Sequence, residues 1–238
     1  MRILYIDIET AVKHKDFFEM PEDGQAAFKK KMRSKIGVHP CPYFTVMQAY
    51  EEAPLFAEFA RIICIGVGNV AIDPKDPADD GKIDATTIHV KGYVGEEVDI
   101  LRGLSAAIEK YNPDLLCAHN GKGFDYPFLA RRYMVNRLPI PPLLNTEGQK
   151  PWEVRLLDTA DIWKFTDLKY YASLISLAYA FGIASPKDDI DGSQVGAAFF
   201  EGRIEDIKKY CLKDVVTLIN IYRSMRNLHI IEKVVIHE

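Results

Sequence analysis

The apolar pattern starts at once: Ile3, Leu4, Ile6 and Ile8 mark a strand over residues 2–8. Residues 61–72, RIICIGVGNVAI, read as a second strand rich in β-branched side chains, and TTIHVKGY at 86–93 as a third. Between them DPKDPADDGK (73–82) has the Pro, Asp and Gly content of a loop, so the second and third strands predict a hairpin-like pair. From 95 to 111 the period changes, and Val98, Leu101, Leu104 and Ile108 fall on one helical face. PDLLCAHN (113–120) is a short apolar strand ending in polar residues, followed by a helix at 126–136. EVRLLDT (153–159) adds a strand, SLISLAYAFGI (173–183) a helix, and 203–226 a long helix or helix pair. Three strands of antiparallel character, then helix–strand–helix–strand–helix, predict an α/β fold: a mixed sheet with helices on both faces.

A segment of about fifty residues, 11–60, separates the first strand from the second. It holds the basic run KKKMRSK (29–35) and the Pro/aromatic stretch HPCPYFTVMQAY (39–50). Excursions of that length usually handle substrate, so one domain over 1–238 with a substrate-handling insertion is expected.

Composition adds bounds. With 238 residues, 48% of them hydrophobic, the chain can bury a full core. No apolar stretch approaches the ~20 residues of a bilayer span, and the chain opens on a strand without signal-peptide architecture, so no membrane association and a cytoplasmic home are expected. The cysteines (41, 64, 117, 211) form no CxxC pair, and Cys64 and Cys117 lie in apolar runs as reduced hydrophobes. His39 and Cys41 lack a second ligand pair, which argues against zinc. A net charge of −4 excludes coating long nucleic acid through bulk electrostatics, yet leaves room for a local grip on a strand end. For that grip Lys29, Lys30, Lys31, Arg131 and Arg132 are the candidate cations, although the ordinary reading of a lysine run is a solvated face.

The first strand carries an anomaly. Strand side chains alternate, so Asp7 and Glu9 point to one face while Ile6 and Ile8 point to the other. Two adjacent carboxylates repel and resist desolvation, so something positive should sit between them. Asp125 follows NGKGF at the end of the fourth strand, where Gly121 and Gly123 permit a tight turn. Asp214 sits in the last helix among Val215, Val216 and Leu218, with Tyr210 four residues earlier on the same face. Acids from separate elements in apolar settings suit hard divalent cations, which take carboxylate oxygens, water and substrate phosphate.

These stretches are familiar. DIE at 7–9, NGKGFD at 120–125 and YCLKD at 210–214 resemble, in order, the three motifs of the DEDD exonuclease superfamily with its ribonuclease H-like fold. Tyr210 places the resemblance in the DEDDy branch. The flanks IDIET, HNGKGFDYPFL and YCLKDVVTL are most similar to the 3′–5′ exonuclease domain of family B DNA polymerases and its stand-alone relatives. The resemblance implies two ions, Mg²⁺ or Mn²⁺, about 4 Å apart, stabilising the attacking and leaving oxygens of an in-line displacement at phosphorus. It gives Asp7 the bridging position, Glu9 and Asp214 the first ion, Asp125 the second, and Tyr210 the orientation of the attacking water. It implies release of nucleoside 5′-monophosphates from a 3′ end, and contacts to the strand from Thr10, Ala11 and Asn120. Phe124 meets a base or packs beneath the site, with packing favoured.

Other residues take blander roles. His119 reads as a satisfied buried histidine and Asp158 as a helix N-cap ahead of a nucleotide contact. GVGNVA (66–71) fits a dinucleotide fingerprint, but the stretch continues as strand instead of opening a helix. KDDIDGS (187–193) lacks the first-position acid and the twelfth-position Glu of a calcium loop and reads as a plain loop. Tyr43, Phe44 and Tyr50 have two open roles, stacking on bases or filling the insertion's own core. Single-stranded DNA 3′ ends are the favoured partner, because the third motif carries Tyr and the flanks are polymerase-like. An exoribonuclease or oligoribonuclease is the alternative. A silent nucleic-acid-binding module is the third reading, and a missing acid would mark it; all four are present. No polymerase palm or fingers fit in 238 residues, so the role is proofreading in trans, repair or nucleic-acid turnover, three readings the sequence leaves open.

Overall fold

A computed structural model describes the chain except residues 37–41, 78–82, 151, 168 and 185–189, and leaves out the side chains of 34, 35, 42–45, 72–77 and 83–86. The candidate zinc ligands His39 and Cys41 lie outside the described residues, and so do the side chains of Tyr43 and Phe44.

The strands are β1 (Ile3–Val12), β2 (Ala60–Pro77), β3 (Ile83–Val94), β4 (Leu115–Ala118), β5 (Leu156–Asp158) and β6 (Val234–His237). They form one sheet in the order β5-β4-β1-β2-β3-β6. β2 runs antiparallel to both of its neighbours, β1 and β3, whereas β4 joins β1, β5 joins β4 and β6 joins β3 in parallel. The helices are α1 (Glu22–Lys31), α2 (Arg33–Ile36), α3 (Pro42–Tyr50), α4 (Glu97–Tyr111), α5 (Asp125–Val135), α6 (Thr159–Lys164), α7 (Leu174–Ala180), α8 (Val195–Phe200) and α9 (Ile204–Met225). The mixed α/β sheet expected from the apolar pattern is therefore present.

Both faces are closed by apolar side chains; of the predicted α4 face Leu101, Leu104 and Ile108 are buried, whereas Val98 is half-buried and Ile100 takes its place in the core. Leu4, Ile6 and Ile8 of β1 pack with Ile100, Leu101 and Leu104 of α4 and with Phe128 and Leu129 of α5. On the opposite face Leu212, Val215 and Ile219 of α9 cover Tyr5, Ile88, Val90 and Cys117. Burying such side chains contributes roughly 1.5–3 kcal/mol each. Among the described residues no helix is long and apolar enough to cross a membrane.

Several elements differ from expectation. β1 runs on to Val12, so both carboxylates stand inside a strand. The backbone of 73–77 is strand: after Ile72↔Ala85 the β2–β3 ladder shifts register and resumes at Pro77↔Ile83. The last helix is a single α9. β6 has no counterpart in the apolar pattern. It is anchored from outside itself, where Asn220 donates to the Ile231 carbonyl (3.1 Å) and accepts the Ile231 amide (2.8 Å). The insertion builds its own small core at the end of β1, where Phe17, Phe28 and Tyr50 meet one another in edge-on and tilted ring contacts and cluster with Val12. Tyr50 is buried there and donates to the His14 carbonyl at 2.8 Å, which settles it as core.

Candidate active site

The site is assembled where three elements cross one face of β1. Asp7 pairs with Gly66 and Glu9 with Cys64 across the β1–β2 ladder. A Cβ on Gly66 would lie 2.9 Å from Val215 Cγ2 and 3.0 Å from Cys211 Sγ; on Gly68 it would lie 2.6 Å from Val215 Cγ1. The missing side chains let α9 press against the sheet, and that approach brings Tyr210 and Asp214 over Asp7 and Glu9. The GVG of the false dinucleotide fingerprint thus serves helix–sheet contact.

Asp125 arrives by another route, as the first residue of α5. The turn before it is tightly fixed. Asn120 takes a left-handed φ of 56°, and a Cβ on Gly121 would lie 2.5 Å from that of Ala118. Asp158 accepts the amides of Asn120 (2.8 Å) and Lys122 (2.9 Å) while capping α6 through Ala160 (2.9 Å). Asp125 itself is 4% exposed and accepts from the Ile8 amide, which ties it to the strand bearing Asp7 and Glu9.

Together the acids destabilise one another's ionised forms. Burial raises the Asp7 carboxyl well above the usual range, and Glu9, Asp214 and Asp125 add to the rise in that order. Glu9 is raised by burial, then by Asp214. Burial takes Asp125 to about 7 and Asp214 to about 6, although a hydrogen bond from Tyr210 pulls Asp214 down. Tyr210 is pushed far up by burial and by Asp214, Glu9 and Asp7, so its hydroxyl keeps its proton at any working pH.

The residues fit divalent cations. Ligand atoms of Asp7, Glu9 and Cys211 lie within 4.8 Å of one another. Asp7 Oδ2 is sealed from solvent with no hydrogen-bond partner, an orphaned acceptor beside three more carboxylates. Nothing in the protein's own described side chains balances that charge, whereas a hard cation taking carboxylate oxygen would. Cys211 went unnoticed in the sequence because a cysteine inside a helix reads as packing. Burial raises its thiol strongly, and it donates to the Asp7 carbonyl at 3.6 Å, so it supports β1 from below as a neutral group. Soft sulfur is also the wrong ligand for Mg²⁺.

The other candidates fall into groups. Thr10 Oγ1 donates to the Pro54 carbonyl at 2.8 Å, tying the insertion to β1 beside the acids. Asn120 is partly exposed in the turn before Asp125. Phe124 packs on Phe128 with ring centroids 5.3 Å apart, in agreement with the packing role. His119 contacts Thr159 Oγ1 (2.9 Å) and the Ala172 carbonyl (2.8 Å), the satisfied histidine expected. Lys29 lies over the Phe17 ring at 5.3 Å, and Lys31 pairs with Glu58 at 3.0 Å and covers Phe56 at 4.5 Å. Lys30 and Arg131 are exposed. Arg132 requires a correction. It is 2% exposed, its Nε and Nη2 donate to Glu97 at 2.7 and 2.5 Å, and Nη1 donates to the Ala57 carbonyl at 2.7 Å. A guanidinium enclosed in this way cannot line the path of a strand.

A mixed sheet whose central strand presents paired carboxylates, completed by acids from two helices, defines a candidate centre for cation-assisted chemistry at phosphate. Residues 55–231 match the family described as a predicted 3′–5′ exonuclease related to the exonuclease domain of PolB, and the chain belongs to that family. Asp125, Tyr210 and Asp214 lie inside the matched stretch; Asp7 and Glu9 precede it and are joined to it by the fold. The structure is similar to the family B DNA polymerase of the hyperthermophilic archaeon Pyrobaculum calidifontis, with a TM-score of 0.58 and 15% identity over 94% of this chain and 24% of that one. The likeness is one of fold, and the chain spans about a quarter of that polymerase's length.

Proposed function

We propose that the protein is a 3′–5′ exonuclease of single-stranded DNA ends, dependent on two Mg²⁺ or Mn²⁺ ions and releasing nucleoside 5′-monophosphates. The observation that carries this is the convergence of Asp7, Glu9, Asp125 and Asp214, with Asp7 Oδ2 buried and unpartnered. Asp7, Glu9, Asp125 and Asp214 would hold the ions, which supply charge stabilisation to the attacking and leaving oxygens. The raised Tyr210 hydroxyl favours hydrogen bonding over general-base action: it would hold Asp214 and orient the attacking water. Asn120 and the Thr10–Ala11 backbone border the acids and would meet the terminal nucleotide. Lys29, Lys30, Lys31 and Arg131, on the insertion and α5, are the remaining cations for a strand. In this reading residues 1–238 act as one exonuclease domain with the 11–60 insertion beside the site. The described cysteines are free and buried, which suits the cytoplasm.

The test is incubation with 5′-labelled single-stranded DNA and RNA in Mg²⁺, Mn²⁺ or EDTA, alongside Asp7→Ala. A ladder shortening from the 3′ end, abolished by chelator and by the substitution, is expected, faster on DNA. Faster loss of RNA would make the protein an exoribonuclease. Binding without cleavage in either metal would make it a silent module.

A further inference from the structure

The segment between α6 and α7 carries a group of largely exposed aromatic side chains, one of which, Tyr171, reaches the acid site. Phe165, Tyr170 and Tyr171, between α6 and α7, are 84%, 51% and 61% exposed. Lone surface aromatics are ordinary, but several within seven residues beside a charged site are not. Tyr171 is the best placed. Its ring tilts against His119 with centroids 6.2 Å apart. His119 is a fixed support: Nε2 donates to the Ala172 carbonyl, which leaves neutral Nδ1 to accept from the Thr159 hydroxyl. The next residue, Asn120, opens the turn that ends in Asp125. The Tyr171 hydroxyl is close enough to feel Asp158 and Asp125, and those charges add to the effect of burial in raising it. Lys122 and Lys164 both pair with Asp161 next to this segment, with Lys122 at 3.0 Å, which sets two ammonium groups near the ring.

We propose that Tyr171 is the platform on which one of the last two bases of the bound strand stacks, so that the site accepts unpaired, base-bearing ends. A rigid ring beside a charge-lined path binds bases without regard to sequence, because every base offers a π-face. A base in a duplex already stacks on its neighbours, so an end must fray before Tyr171 can take it. The assignment of this end as the 3′ end rests on the nuclease reading; the stacking needs binding alone.

The test places the fluorescent base 2-aminopurine at the last two positions of a short single-stranded DNA, bound in Ca²⁺. Quenching on binding to the wild-type protein and to Tyr171→Phe is expected. Tyr171→Ala should lose the quenching and bind about tenfold more weakly, with an unchanged melting temperature because the ring is exposed. With abasic nucleotides at those two positions, wild type and Tyr171→Ala should bind equally. Equal quenching and affinity of the two proteins on base-bearing ends would overturn the proposal. Quenching without hydrolysis in Mg²⁺ or Mn²⁺ would remove the nuclease reading and leave the platform standing. A wild-type protein that bound no single strand would remove both.

Discussion

Arg132 and Asp125 show how differently one charged residue can be used from another. Arg132 looks like its neighbour Arg131 in the sequence, yet its guanidinium is enclosed by Glu97, 35 positions away. Glu97 also accepts from the Ile62 amide at 2.8 Å and from Asn136 at 2.9 Å. Burial works to raise its carboxyl, and these donors outweigh burial and hold it below the usual range. Removing one member of a buried pair strands the other. Glu97→Ala should therefore cost about 3–5 kcal/mol of stability, while replacing Glu97 and Arg132 together with apolar residues should cost far less. Chemical denaturation of both variants measures this, and a double variant as unstable as the single one would refute the pairing argument. The acids were legible because DIE, NGKGFD and YCLKD each set a carboxylate in an apolar element. The fate of Arg132 was not, because a cation announces its charge and not its partner.

Elements obey the same division. Long periodic segments such as α4 and α9 declare themselves, because a dozen or more residues repeat one apolar face. Helices α6 and α8 are six residues each and β6 is four, too short for a period to form, and tertiary contacts hold them. The run of strand through 73–77 was hidden because local composition votes for a loop while the paired backbone of β3 extends the ladder. The meaning of Gly66 and Gly68 needed α9 in place, since their value is the space they leave. Gly68→Ala would set its Cβ 2.6 Å from Val215 Cγ1 and 3.0 Å from Ile219 Cδ1. An overpacked contact of this kind should cost about 1–3 kcal/mol. It should also lift α9 from β1 and slow hydrolysis, because α9 carries Tyr210 and Asp214. Combining it with Val215→Ala should cost less than the sum of the two single changes. Additive losses in thermal melts would show that the glycine does not serve the approach of α9.

At the scale of the whole molecule, the acid site works against the fold that builds it. Asp7, Glu9, Asp125 (about 7) and Asp214 (about 6) all lie above their unfolded values of about 4. The native protein thus holds protons that the unfolded chain has released. This contribution to stability is fully present below about pH 4 and is lost as pH rises through 6 to 7. Chelator-treated protein should therefore melt at progressively lower temperature between about pH 5 and pH 8. Mg²⁺ or Mn²⁺ should reverse the loss at pH 8, because a bound cation favours the ionised carboxylates. At one hundred times the dissociation constant the recovery is about 2.7 kcal/mol. Asp7→Asn separates this from general charge effects. It removes the orphaned oxygen and one repelling charge, so the metal-free variant should melt higher than wild type at pH 8 and gain little from either cation. A metal-free melting temperature indifferent to pH over that range, or a variant stabilised by cations as much as wild type, would mean that the four carboxylates do not act as one site.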